Sequence, residues 1–137
     1  VAIFYEAVAR GEYTCFVRED TVLPMMYMPD CTRAAIELME ADPARLRHHC
    51  DFNLAAMRFS AGELAAEIRK HLPRFVCHYA PDERQAIADS WPRSMDDSAA
   101  RQDWGWAPEY DLPRLAAVML HRLTTRHREG RLYPQPR

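Results

Sequence analysis

The chain has 137 residues, a mass of 15.9 kDa, a formal net charge of −2 at pH 7 and a pI near 6.3, with 48% hydrophobic and 28% charged residues. That size fits one domain or a piece of a larger one, and the composition is globular, with apolar mass for a modest core. The near-neutral balance leaves no electrostatic footprint for nucleic acid or an anionic membrane, and no apolar run approaches the about 20 residues of a membrane span.

The first residues, VAIFYEAVARGEY, lack the basic start and small-residue cleavage site of a signal peptide and begin without Met, so they read as mid-chain sequence. Apolar residues at 3, 4, 7 and 8 predict a helix over Ile3–Arg10, stopped by Gly11. Tyr13–Val17 (YTCFV) reads as a strand, Arg18–Thr21 (REDT) as a turn and Met25–Met28 (MMYM) as a second short strand. Asp30 has the residue type of an N-cap for a helix over Thr32–Ala41, with Ala35, Ile36, Leu38 and Met39 as its buried side. Asp42-Pro43 ends that helix, because a residue before proline disfavours helical backbone. Phe52–Leu54 is a candidate brief strand. Ser60 and Glu63 fit a capping box for an amphipathic helix over Ala61–Leu72, stopped by Pro73. Phe75–Tyr79 (FVCHY) predicts a strand, and Ala80–Met95, with prolines at 81 and 92, an irregular region. Asp97 is placed as the cap of a short helix, Ser98–Trp104, that ends at Gly105, and a last helix runs from near Asp111 through Leu123. The basic, proline-containing end, TRHREGRLYPQPR, is expected to be a frayed tail. Short scattered strands with about five helices cannot complete a doubly wound sheet, which leaves a small α+β domain or the second half of a larger α/β protein.

Several chemistries lack their residues. The four glycines, at 11, 62, 105 and 130, lie too far apart for a phosphate-cradling loop. Lys70 is the only lysine, and the residue four before it is Ala66, so no Tyr-x-x-x-Lys pair exists. There is no GxSxG elbow. The cysteines at 15, 31, 50 and 77 form no CxxC pair and read as reduced, mostly buried thiols of an intracellular protein. His48, His49 and Cys50 are adjacent, so their side chains diverge, and zinc is not expected.

The strings REDTVLPMMYMPDCTRAAIELMEAD, FNLAAMRFSAGELAAEIRKHLP and ERQAIADSWPRSMDDSAARQDWGWAPEYDL resemble mitochondrial-type L-threonine 3-dehydrogenases of the extended short-chain dehydrogenase/epimerase superfamily. MMYMPD and ADSWP are specific to that type, whereas Asp-x-Ser-x-Ala followed by Trp-Gly-Trp-x-Pro is shared with sugar-nucleotide epimerases. The resemblance covers Val1 to about Leu123 and implies the C-terminal, substrate-binding part of a Rossmann-type α/β enzyme. On that basis residues 1–123 are a substrate-domain portion and 124–137 a divergent or disordered tail. The implied reaction is NAD-dependent oxidation of L-threonine to 2-amino-3-ketobutyrate, in a mitochondrial homodimer whose contact the Ile3–Arg10 helix would adjoin. The family's glycine-rich loop, its catalytic Ser/Thr, Tyr and Lys and a substrate-holding Thr-Thr-Asp stretch would all precede Val1. No catalytic, cofactor-binding or metal-binding residue is therefore assigned in this chain, NAD would be bound by the upstream part, and the chain alone is expected to be inactive.

One residue carries a functional expectation. Trp91, between Ser90 and Pro92, lies outside any periodic face, and the resemblance implies a substrate-binding role over the bound amino acid. A rigid indole can shield the threonine methyl and exclude water, but it is neither acid nor base. Trp104 and Trp106 flank Gly105 and read as packing rings. Asp30 reads as a cap rather than a catalytic carboxylate, Asp96 and Asp97 as cap and dipole partners, and Met25, Met26 and Met28 as strand packing around Tyr27. His48, His49, His71, His78, His121 and His127 show no convergent spacing. Two alternatives remain open: a non-catalytic truncated or spliced product that at most binds another subunit, and a sugar-nucleotide epimerase substrate domain, for which Arg93 is displaced from the diphosphate-holding position.

Overall fold

The computed structural model of the chain describes residues 1–48 and 50–133. These residues form an α/β structure that divides into two compact units.

Among the described residues the first unit comprises Val1–Val22, Ser60–Trp91 and 112–133. Its elements are α1 (Ala2–Ala9), β1 (Glu12–Cys15), α3 (Ala61–His71), β4 (Val76–Tyr79), α4 (Arg84–Ser90) and α6 (Leu112–Arg128). Gly11 ends α1 with a φ of 75°, a left-handed conformation that costs glycine nothing. β1 and β4 pair in parallel with Tyr13 opposite Cys77 and Cys15 opposite Tyr79, so these four side chains share one face. The α3 start is the capping box expected: Glu63 N–H donates to Ser60 Oγ at 3.0 Å and Ser60 N–H to Glu63 Oε2 at 2.6 Å. Helix α6 packs on α1 and α3 and buries Leu115, Ala116, Leu120 and Leu123, a 3.6-residue stripe, against Ile3, Phe4, Ala65 and Ile68 among the core residues of this unit.

The second unit comprises Leu23–Phe59 and Pro92–Asp111. It holds α2 (Met28–Glu40), a 3-10 turn (Pro43–Arg45) and α5 (Ser98–Asp103), with β2 (Val22–Met25) paired to β3 (Met57–Ser60) at its edge. Its core is Ala34, Ala100 and Trp106, with Met26, Leu54 and Trp104 packed against them.

Several expectations change. MMYM is not a strand: only Met25 belongs to β2, and Met28 already opens α2, with Pro29 in the first turn where its missing N–H costs nothing. Met26 packs inward, but Met25 and Met28 are exposed. Asp30 is therefore a first-turn residue and not the N-cap, a position Tyr27 occupies without a side-chain capping bond. The buried side of α2 is Asp30 and Ala34, so Ile36 and Met39 are 44% and 77% exposed rather than buried. The region 80–95 is not all irregular, because α4 forms within it. Phe52–Leu54 lies outside any strand, and the strand of this stretch is β3. Asp97 occupies the N-cap position of α5 but makes no capping bond; Asp96 Oδ1 instead accepts from Ser98 N–H at 2.9 Å. The tail expected from residue 124 is helical through Arg128, after which Leu132 is buried and Tyr133 stacks on Tyr5 with centroids 5.9 Å apart. His49 and residues 134–137 lie outside the described residues.

Candidate functional site

Trp91 sits at the C-cap of α4. Pro92 follows it and excludes helical backbone, and Trp91 accordingly adopts φ −79° and ψ 148° while its N–H still donates to Ala88 O at 3.3 Å. Ser90 Oγ closes the same turn on Ile87 O at 2.7 Å. Trp91 is 53% exposed.

The helix below it is tied down by polar side chains. Gln85 is only 7% exposed. Its Oε1 accepts from Arg18 N–H at 2.7 Å, and its Nε2 donates to Asp89 Oδ1 at 2.7 Å and to Thr21 Oγ1 at 3.1 Å. Arg18 Nη2 donates to Asp89 Oδ1 at 3.0 Å, in a half-exposed ion pair worth about 0–1 kcal/mol. At the other end of α4, Arg84 lies 3.6 Å over the Phe16 ring and donates to Asp82, whose carboxyl is held below its ordinary value by that guanidinium and by the Arg84 amide. None of Gln85, Asp89, Arg18 or Thr21 was singled out from the sequence. Gln85 and Asp89 are spaced i, i+4, but the helix that makes this spacing meaningful was not anticipated.

The chemistry available near these elements is limited. The Tyr79 hydroxyl is buried and its pKa is pushed up to about 12, first by burial and then by Cys77. Burial likewise raises Tyr13 and Cys77. These shifts leave the two phenols and the thiol protonated at neutral pH, the wrong state for a base. A cavity of about 720 Å³ lies beside the Arg18–Asp20 turn, lined by Arg18, Glu19, Asp20, Ser60, Gly62, Glu63 and Ala66. Three carboxylates against one guanidinium make it a poor receptor for an amino-acid carboxylate, and Trp91 does not line it.

The residues described do not fit a dinucleotide cradle. The one helix start in the first unit that carries a glycine is α3, and its first amides are already used. Ala61 N–H donates to Thr21 O at 3.2 Å, Gly62 N–H to Glu19 O at 2.9 Å and Glu63 N–H to Ser60 Oγ. A pyrophosphate would find no free donors there, and Glu19 and Glu63 would repel it. Among the described residues no group of three or more His, Cys, Asp or Glu could hold a metal ion, and no helix is long and apolar enough to cross a membrane. The described cysteines are all free; Cys15 is buried, but Cys31 and Cys50 are exposed, which corrects the expectation of mostly buried thiols.

In the second unit the remaining candidates are structural. Asp30 is 1% exposed. Its carboxylate accepts from Glu109 N–H at 3.1 Å, Tyr110 N–H at 3.0 Å and Arg33 Nη2 at 2.9 Å. Burial opposes ionisation, but these donors outweigh it and hold the carboxyl below its ordinary value. Arg33 also pairs with Glu37, donates to Ala107 O at 2.7 Å and lies 4.9 Å over the Trp106 ring. Trp106 is buried with its Nε1 donating to Ala55 O at 3.2 Å, and Trp104 meets Phe52 edge-on at 4.6 Å, so both are packing rings. Asp103 receives the Arg47 amide and guanidinium, each at 2.9 Å, and its carboxyl is held low by them.

No protein-family model matches the chain. Among curated proteins it is 51% identical over 122 residues to the mitochondrial L-threonine 3-dehydrogenase of Bos taurus, an alignment covering 88% of this chain and 32% of that protein. It is 47% identical over 121 residues to an uncharacterized epimerase/dehydratase of Staphylococcus haemolyticus, covering 88% of this chain and 38% of that one. Among solved structures it superimposes on the apo form of the GalE-like L-threonine dehydrogenase of Cupriavidus necator with a TM-score of 0.86 and 52% identity, over 90% of this chain and 44% of that one. The chain thus spans about a third of the length of the curated relatives it matches. In sequence and fold it matches the C-terminal portion of the mitochondrial-type, GalE-like L-threonine 3-dehydrogenases, with the fold of the Rossmann-type extended short-chain dehydrogenases.

Proposed function

We propose that this chain supplies the substrate-side wall for the NAD-dependent oxidation of L-threonine to 2-amino-3-ketobutyrate, with residues 1–123 as the substrate-domain portion and Trp91 as the residue that covers the amino acid. The observation that supports this most is the half-exposed Trp91 ring, held at the end of an anchored helix in a chain about half identical to threonine dehydrogenases. The indole would shield the threonine methyl and displace water; it is neither acid nor base, so this reading assigns proton removal and the redox step to the upstream part and NAD. NAD is assigned to no residue of this chain. A mitochondrial location and a homodimer belong to the same reading.

The test joins this chain to the upstream portion of the Cupriavidus necator enzyme and compares Trp91→Ala with the unsubstituted fusion. The expected loss is about tenfold or more in kcat/KM for threonine. An unchanged value would remove Trp91 from the site. Turnover of UDP-sugars in place of threonine would favour an epimerase substrate domain, and a well-folded but inactive fusion would favour a non-catalytic binding module. The isolated chain given threonine and NAD is expected to produce no NADH, and steady production would overturn the proposal.

A further inference from the structure

We infer that Gln85, Asp89, Arg18 and Thr21 form a positioning network that fixes the rotation of α4 and thereby the placement of Trp91; the functional meaning of this rests on the reading of Trp91 as the substrate wall. Gln85 and Asp89 are one helical turn apart on the same face of α4. Both are bound to the turn that follows β1: Gln85 through the Arg18 amide and the Thr21 hydroxyl, Asp89 through the Arg18 guanidinium. They are also bound to each other at 2.7 Å. Two attachment points one turn apart hold a short helix against rolling about its axis as well as against tilting. The turn is not a loose partner, because Glu19 O and Thr21 O accept from the first two amides of α3. The chain of constraint therefore runs from α3 through the turn to α4 and ends two residues before Trp91.

A buried glutamine is a costly choice for mere packing. Each of its amide atoms is used, and an apolar residue of the same size would leave the Arg18 N–H without its acceptor. A helix held only by apolar contacts could rotate by small steps. Directional bonds of 2.7 Å to both amide atoms admit one orientation.

The test uses the 137-residue chain labelled with 5-fluorotryptophan and followed by fluorine NMR, with Trp91→Phe assigning the Trp91 resonance among the three. Gln85→Met and Asp89→Ala are expected to shift or broaden the Trp91 signal while Trp104 and Trp106 stay in place. Asp89→Asn, which keeps an acceptor for Gln85 and Arg18, is expected to restore most of it. An unmoved Trp91 signal in the folded Asp89→Ala chain would overturn the inference, and so would equal movement of all three signals, which marks general loosening. Because this readout needs no substrate, it fails or succeeds independently of the threonine kinetics of Trp91→Ala. In the fused enzyme the same Asp89→Ala change is expected to raise KM for threonine severalfold with kcat less affected, and restoration by Asp89→Asn separates positioning from stability.

Discussion

Removing the Asp30 carboxylate is the sharpest perturbation of the second unit. In Asp30→Ala the amides of Glu109 and Tyr110 lose their acceptor. Arg33 keeps Glu37 and the Ala107 carbonyl, so its charge is not stranded. The cost is thus chiefly two unsatisfied, partly buried amides at about 1–3 kcal/mol each, a total of about 2–6 kcal/mol. That spans the about 3–5 kcal/mol typical of breaking a buried ion pair outright. Asp30→Asn retains one acceptor oxygen but turns an NH2 toward a donor, and about 2 kcal/mol is expected. Urea unfolding followed by tryptophan fluorescence in a Trp91→Phe background reads the second unit directly, since Trp104 and Trp106 both lie there. The folded-state carboxyl titrates below its unfolded value of 3.8. Its contribution is therefore complete above that value and is lost as pH falls through the lower, folded one. The stability gap between the native chain and Asp30→Asn should close on that descent. A loss within about 0.5 kcal/mol for Asp30→Ala, the size of an ordinary surface substitution, would refute the reasoning, as would a gap that does not change with acid.

Other perturbations test separate steps. Ser60→Ala removes one arm of the α3 capping box and is expected to cost about 1 kcal/mol in urea or thermal unfolding of the first unit. Gly62→Ala would place a Cβ 2.6 Å from Glu19 Cγ and 3.3 Å from the Glu19 carbonyl oxygen, and overpacking of about 1 kcal/mol or more should outweigh the gain in helix propensity. In a Glu19→Ala background the side-chain clash disappears and the same change should become neutral or stabilising; persistence of the full loss would place the strain in the backbone. Trp91→Ala should leave the melting temperature nearly unchanged, because the ring is half-exposed, and a drop of several degrees would mean that it packs more than the structure shows.

Local chemistry with a local partner was legible in the sequence. The Ser60–Glu63 box, the stop at Gly11, the strands at 13–17 and 75–79 and the α6 stripe all depend on neighbours within a few residues or on a single apolar face. Helix α2 defeated the same reasoning because its orientation is set from a distance. The amides of Glu109 and Tyr110, some eighty residues away in sequence, draw the Asp30 carboxylate inward. Ala34, four residues on, follows it into the core, and that rotation turns Ile36 and Met39 outward. Apolar periodicity assumes that the buried face is the apolar one, and a satisfied buried carboxylate breaks the assumption.

The candidate site shows the same division. Trp91 could be singled out because an aromatic ring before a proline, off any periodic face, is visible as an exception. The groups beneath it were invisible because Gln85 and Asp89 become a face only once α4 exists, and prolines at 81 and 92 argued against a helix between them. Those prolines in fact frame it: Pro81 lies before its start, and Pro92 fixes the extended backbone of Trp91 that ends it. A segment bounded by breakers is thus compatible with a short helix when its interior carries polar residues at i and i+4 and a polar turn stands ready to receive them. The Arg18–Thr21 turn is that receiver. Its Arg18 amide and its Arg18 and Thr21 side chains take up what a seven-residue helix, too short to be stable alone, cannot supply from within.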